Sequence, residues 1–317
     1  GNPKGLVFGQ KQWKDLIPQV VWRATDRSFL RRALTRLRRP KFQTDVAPQI
    51  KSGANDNDQK VIATKAMRNV YQKLVPRWKA IVWTAEAERD AEKAAKRSGH
   101  DSSPWANLKF ADAMYMHNID DTEYYEEFMK HGIPAIGGHM SLDELAKYKY
   151  HLDIGGGGGT TWSGTLEKLA MPGLLFHHET RTKDYLHDMM KPWEHYVPIS
   201  SDLSDLKERY EWAEAHPEKA QKIAQSATAL VKSLGTKEGF EGMYSKFYEE
   251  PLCKVVGAYK PLDGNVSWRD VIKSKGGNGL RPQWKCGGYK DDDCEELGGN
   301  KRGTQKLKDE SKKKTPA

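Results

Sequence analysis

The residues best suited to chemistry in this chain lie between Tyr148 and Lys168. Five glycines, Gly155 to Gly159, are followed by Thr160, Thr161, Trp162 and Ser163. Glycines carry no Cβ, so consecutive main-chain N–H groups can turn toward a bound oxygen, and the hydroxyls add further donors. If such a run opens a helix, the helix N-terminus adds partial positive charge, and a nucleotide diphosphate is the natural guest. The run is not a dinucleotide fingerprint, because Thr160 stands where the third glycine of Gly-x-Gly-x-x-Gly is needed. No Gly-Lys-Ser/Thr follows either. A plain flexible loop is the other reading of the same residues.

The flanking elements must decide where such a loop sits. Tyr148 to Ile154 alternates aromatic and branched residues with polar ones, which predicts a strand. Thr165 to Met171 is helix-compatible and ends at Pro172-Gly173. Leu174 to His178 predicts a second strand, and Lys183 to Met190 a short helix. Ser204 is placed to cap a helix whose Leu206, Tyr210 and Ala213 share a face. Another helix starts near Pro217, with Ile223, Ala227, Leu230 and Leu234 on one side and Gly235 past its end. Strand, loop and helix alternate, so a parallel α/β domain is expected, with ligand at the carboxyl ends of its strands.

A motif set runs through this stretch: Tyr148-Lys149-Tyr150, Trp162-Ser163-Gly164, Pro192-Trp193, His195-Tyr196, Pro198 and Asp202-Leu203-Ser204-Asp205-Leu206. In these residues the chain resembles the protein O-glucosyltransferases of the Rumi type and their fungal capsule-associated relatives. The likeness runs from about 142 to 227, reaches back to Trp13, and leaves out the tail. It implies an α/β, GT-B-like fold: a Rossmann-like nucleotide-sugar-binding domain with part of a second domain. The activity implied is transfer of a glucose- or xylose-type sugar from a UDP-sugar donor to a protein or glycan hydroxyl. No cofactor and no metal are implied, and the compartment is the endoplasmic reticulum or Golgi lumen, reached through an N-terminal signal or anchor.

The same resemblance nominates the donor site. Gln19-Val20-Val21-Trp22 is β-like and leads to Arg23, the position of the family's donor-contacting arginine, with Ala24 in place of a glycine and Arg27 as a second candidate. With it go Gly157, Gly158, Gly159, Thr160, Thr161, Trp162, Ser163, Thr165 and Lys168. In relatives an arginine stands where this chain has Thr165. The nearest cation is Lys168, a point charge without a bidentate fork. The family's catalytic aspartate precedes the Arg23 strand and falls before Gly1. No catalytic residue is therefore nominated, and the chain reads as a fragment. An inactive nucleotide-sugar-binding remnant is the alternative.

Four segments follow from composition and resemblance together: 1–75, the start of the family-like region with its donor-contacting strand; 76–104, a charged helical insertion; 105–250, the Rossmann-like donor-binding domain; and 251–317, an extension largely disordered after about 273. Within the second, Thr84 to Ser98 predicts a solvent-exposed helix closed by Gly99. Ile133 to Ile136 predicts a short strand, and Ser141 with Glu144 a capping box. The net charge of +9 and pI of about 9.2 suit phosphate-bearing partners without selecting one. Arg31, Arg32, Arg36, Arg38 and Arg39 read as a solvated helix face. Without interleaved aromatics they predict no nucleic-acid partner, though a basic polyanion-binding protein is a further alternative. His177-His178-Glu179 fails His-Glu-x-x-His at Thr182, and neighbouring strand residues face opposite sides, so no metal is expected there. Cys286 and Cys294 are spaced for a small loop disulfide, Cys253 is left over, and Asn265-Val266-Ser267 is a sequon that matters only in a secretory lumen.

Overall fold

Strand order carries most of the architecture. A parallel sheet runs β2-β1-β3-β4-β5, built from β1 (Ile17–Ala24), β2 (Ala106–Phe110), β3 (Tyr148–Asp153), β4 (Leu174–His178) and β5 (Val197–Ile199). The computed structural model describes residues 12–26, 39–52, 59–112, 122–155, 163–180, 183 and 185–259. Residues 1–250 form one unit and 251–317 another. In the second, the described residues are largely helical, ending α10 (Glu250–Ala258) with Leu252, Val255 and Val256 exposed.

The sheet interior lies between β1 and β3, and its two faces differ. Val20, Trp22, Leu108, Phe110, Tyr150, Leu152, Leu174 and Phe176 share one face by their registers and are all buried. Against them pack α2 (Gln59–Asn69) and α3 (Pro76–Ser98), together with Leu206 and Ala213 of α7 (Leu206–Ala215). The opposite face carries Val21, Arg23, Asn107, Lys109, His151, Asp153, Leu175 and His177. Over its β4 side lie Leu169 of α6 (Ser163–Ala170) and Ala227 of α8 (Pro217–Leu234).

Several predicted elements are present. The β3 and β4 strands are in place, α8 starts at Pro217, and Ser141 with Glu144 closes a reciprocal capping box on α5 (Leu142–Leu145). Three expectations need correcting. The charged helix begins at Pro76 rather than Thr84 and is not a solvent-exposed rod: Trp78, Lys79, Ala80, Ile81, Val82, Trp83, Thr84, Ala85 and Ala87 are buried, and only its last turns are solvated. Its lysines and glutamates cluster late, so the apolar stripe before them was outweighed by the charge that follows. Ser204 does not cap α7, which begins at Leu206 after Asp205 without a side-chain cap. Asp205 Oδ1 instead accepts from Ser200 N and Ser200 Oγ, tightening the turn. The segment at Ile133 to Ile136 contributes a single bridge, Ile136 to Phe110, and no strand.

Candidate functional site

The sheet order reverses between β1 and β3. From β1 the chain crosses to β2 on one side and returns to β3 on the other. In open parallel sheets the crevice at the carboxyl ends of two such strands is where ligands bind. Here that crevice lies between the Arg23–Asp26 end of β1 and the Asp153–Gly155 end of β3. The glycine run leaves β3 at this edge, and α6 begins at Ser163. Gly157, Gly158, Gly159, Thr160, Thr161 and Trp162, like the Ser163 side chain and Arg27, lie outside the described residues.

Arg23 stands at the crevice in an unusual state. It lies two residues beyond Val21, which pairs with His151, while Asp153 lies two beyond His151 on the neighbouring strand. Its Nη1 donates to Trp22 O and Asn107 O, both at 2.8 Å, and Nη2 donates to Asn107 Oδ1 at 3.0 Å. Gly137 makes room beside it, since a Cβ there would sit 3.0 Å from Nη2. Nε is buried without a partner, and among the described residues no carboxylate pairs with the guanidinium. Burial lowers its pKa, with Tyr148 the smaller, opposing influence. A partly dehydrated cation held in place with donors to spare is prepared for an anion.

Asp153 ends β3 with its side chain fully buried. Its Oδ2 accepts from Thr165 Oγ1 at 2.6 Å and faces His177 Nδ1 at 3.1 Å, and its Oδ1 accepts from Lys168 Nζ at 3.0 Å. Because a carboxylate only accepts, Nδ1 of His177 carries the hydrogen. His177 Nε2 lies 3.2 Å from His187 Nε2. Thr165 is 2% exposed, so it and Lys168 brace the buried Asp153 across the two ends of the glycine run. His178 faces the other way, as strand alternation requires. Its Nδ1 accepts from Gly155 N at 3.3 Å and its Nε2 donates to Ser201 O at 2.9 Å. That is the neutral tautomer, in line with a pKa lowered chiefly by burial. His195 is likewise lowered by burial, and its Nδ1 accepts from Lys191 N at 3.0 Å, closing the turn of its motif. Among the described residues no three His, Cys, Asp or Glu side chains are grouped to hold a metal ion.

Two acidic residues at this edge escaped sequence reasoning. Asp153 sits inside the predicted strand, and its parity with His177 was the available signal. Asp26, 2% exposed just past β1, accepts from Tyr125 OH at 2.7 Å and Trp78 Nε1 at 3.2 Å. Arg39 Nε reaches it at 3.4 Å while the guanidinium covers the Tyr124 ring at 4.4 Å. Arg39, the one member of the basic block among the described residues, is thus spent on an internal ion pair and does not join a solvated face.

Comparison with known proteins adds an independent line. Residues 106–245 match the family described as Glycosyl transferase family 90. Protein O-glucosyltransferase 2 of Danio rerio is 30% identical over 146 residues, which is 43% of this chain and 28% of the relative. Protein O-glucosyltransferase 3 of Mus musculus is 32% identical over 101 residues, 30% of this chain and 18% of the relative. Protein O-glucosyltransferase 1 of Rattus norvegicus is 31% identical over 93 residues, 29% of this chain and 23% of the relative. The chain spans less than a third of the length of these relatives.

Proposed function

We propose, from the premise that residues 106–245 are a glycosyl transferase family 90 region of the Rumi type, that this protein takes part in sugar transfer from a nucleotide-sugar donor to a protein hydroxyl. The observation that carries the reading is the place of the glycine run: it leaves the carboxyl end of β3 at the switch point of the sheet and ends at a helix start. A donor diphosphate there would meet main-chain N–H groups of the 155–163 segment and the spare donors of Arg23. Asp153, with Thr165 and Lys168, would hold the two ends of that segment at a fixed spacing. Such fixed donors act on the charge that grows on the leaving diphosphate as the glycosidic bond breaks. A base for the acceptor hydroxyl is also required. UDP as the carrier, glucose or xylose as the sugar, a glycan as an alternative acceptor, the GT-B pairing with a second domain and a secretory-lumen location all belong to the proposal.

Calorimetric titration with UDP tests it. Saturable binding is expected, and Arg23→Ala should weaken it by about tenfold to a hundredfold, the usual loss for a charge-assisted contact. Absence of UDP binding, or a variant within a factor of two of the parent, would refute the assignment.

A further inference from the structure

Two cations stand side by side on the polar face, and the fold treats them differently. Arg23 of β1 and Lys109 of β2 are register partners across the two strands. Lys109 Nζ has a carboxylate oxygen, Glu88 Oε1, at 2.8 Å. Arg23 is given only neutral oxygens among the described residues: Nη1 donates to Trp22 O and Asn107 O, and Nη2 to Asn107 Oδ1. Asn107 therefore accepts two of these three bonds, one through its main chain and one through its side chain. Hydrogen bonds to neutral oxygens replace the water lost on burial but cancel none of the charge.

The same contacts fix the orientation of the side chain. Asn107 is half-buried and pairs in register with Val21, on the face that carries Arg23. Its two oxygens hold two different nitrogens, which sets the plane of the guanidinium as well as its position. Gly137 closes in from another side: its amide donates to Phe110 O at 2.9 Å, and a Cβ on it would come within 3.0 Å of Arg23 Nη2. Each terminal guanidinium nitrogen carries two hydrogens, so the second on Nη2 is left over for a ligand. An aspartate at 107 would have nearly the same shape, accept the same bonds and pair the charge. The chain has the amide instead.

We infer that Asn107 is a positioning residue for the donor diphosphate, acting through Arg23: it holds the guanidinium in one orientation and leaves its charge for the ligand to neutralise. This role rests on the donor-site reading above and deepens it, because it names the residue that keeps the arginine both fixed and unpaired. The carboxylate that the fold supplies to Lys109 is withheld from Arg23, and the phosphate takes its place.

Titration of the full chain with UDP and with inorganic pyrophosphate tests this in two variants. Asn107→Asp puts the missing carboxylate in place. It should melt no lower than the parent and bind both probes about tenfold to a hundredfold more weakly, since the arginine is then paired internally. Asn107→Leu keeps the volume but removes Oδ1, and a loss of about threefold to tenfold is expected. In an Arg23→Ala background the same Asn107→Leu change should alter affinity by less than about a factor of two, because nothing is left to position. Asn107→Asp affinity within about a factor of two of the parent overturns the inference. So does an equal loss from Asn107→Leu with and without Arg23, which would make Asn107 part of the fold alone. Tighter binding by Asn107→Leu overturns it too, since Asn107 would then hold the arginine away from the ligand. Should Asn107→Asp fail to fold, the Asn107→Leu pair decides by the same criteria. A parent that binds pyrophosphate but not UDP, with the same dependence on Asn107, keeps the positioning role and removes the nucleotide-donor reading. A parent that binds neither probe removes both.

Discussion

Alternate residues of the same strands meet two different environments. On one face of the sheet Trp22, Phe110, Tyr150 and Phe176 meet α2, α3 and α7 in a continuous apolar core. On the other, Arg23, Asn107, His151, Asp153 and His177 are held in a largely polar layer that α6 and α8 cover only in part. Both faces are mostly dry, so the contrast is in what compensates burial. The first relies on area removed from water and on ring contacts, the second on hydrogen bonds and charge pairing. A parallel sheet buried on both sides need not be apolar on both sides, provided each polar group finds a partner. Groups that find none, such as the Arg23 Nε and the His151 Nε2, mark where chemistry or shape has displaced stability.

The largest effect should come from the apolar face. Trp78 is fully buried against Phe110, Tyr124, Tyr125 and Phe128, with ring centroids 4.8 to 6.2 Å away, and it donates to Asp26. Truncating Trp78→Ala should cost about 3–5 kcal/mol in urea unfolding. A loss below about 1 kcal/mol would mean that α3 is peripheral after all, the charged appendage that its sequence suggested.

The polar face is broken by removing charge without volume. Asp153→Asn keeps the shape but leaves the Lys168 ammonium, with only 16% of its side chain exposed, without its anion, and turns an amide donor toward a group that itself donates. Breaking a fully buried pair costs about 3–5 kcal/mol. With Lys168 partly solvated, about 2–3 kcal/mol is expected, together with weaker UDP binding because the two ends of the glycine run lose their brace. If stability falls while UDP affinity holds, Asp153 belongs to the fold alone, and the polar face is less functional than its location implies.

How legible these faces were in the sequence follows from the physics of each. β3, β4 and α8 were readable because alternation, a helical stripe and a Pro-initiated start are local signals. Arg23 at a strand end and the glycine run at the carboxyl edge of the sheet were also within reach, one through family resemblance and one through strand-loop-helix order. What failed was long-range. The late charges of α3 hid its buried first half, since burial depends on partners such as Leu108, which bonds Thr84 from 24 residues away. The pairing of Lys168 was hidden in the same way, because Asp153 lies 15 residues back on a strand. No local pattern tells a lysine facing solvent from one facing a carboxylate.

The smallest effect separates shape from charge on the polar face. His151 is 1% exposed, and Gly173 presses on it so closely that a Cβ there would come within 2.6 Å of Nε2. Burial, reinforced by the nearby Lys168 ammonium, lowers its pKa to about 3. An unfolded histidine protonates near 6.5. Between these values the unfolded chain binds the extra proton, so the His151 contribution to stability is complete above about pH 6.5 and is lost progressively as the pH falls toward 3. From pH 7 to pH 5 the loss should be about 2 kcal/mol, given a limiting slope of about 1.4 kcal/mol per pH unit. His178 is shifted in the same direction, so the wild-type slope alone does not isolate His151. The difference from His151→Gln does, because that variant keeps a polar side chain but no titrating ring. Its stability should fall less between pH 7 and pH 5 by about that amount, whatever its absolute value. Parallel curves for the two proteins would show that His151 accepts its proton in the folded state. Gly173 and Lys168 would then yield to an imidazolium, and the layer around Asp153 would have to be wetter and looser than the fixed brace described above.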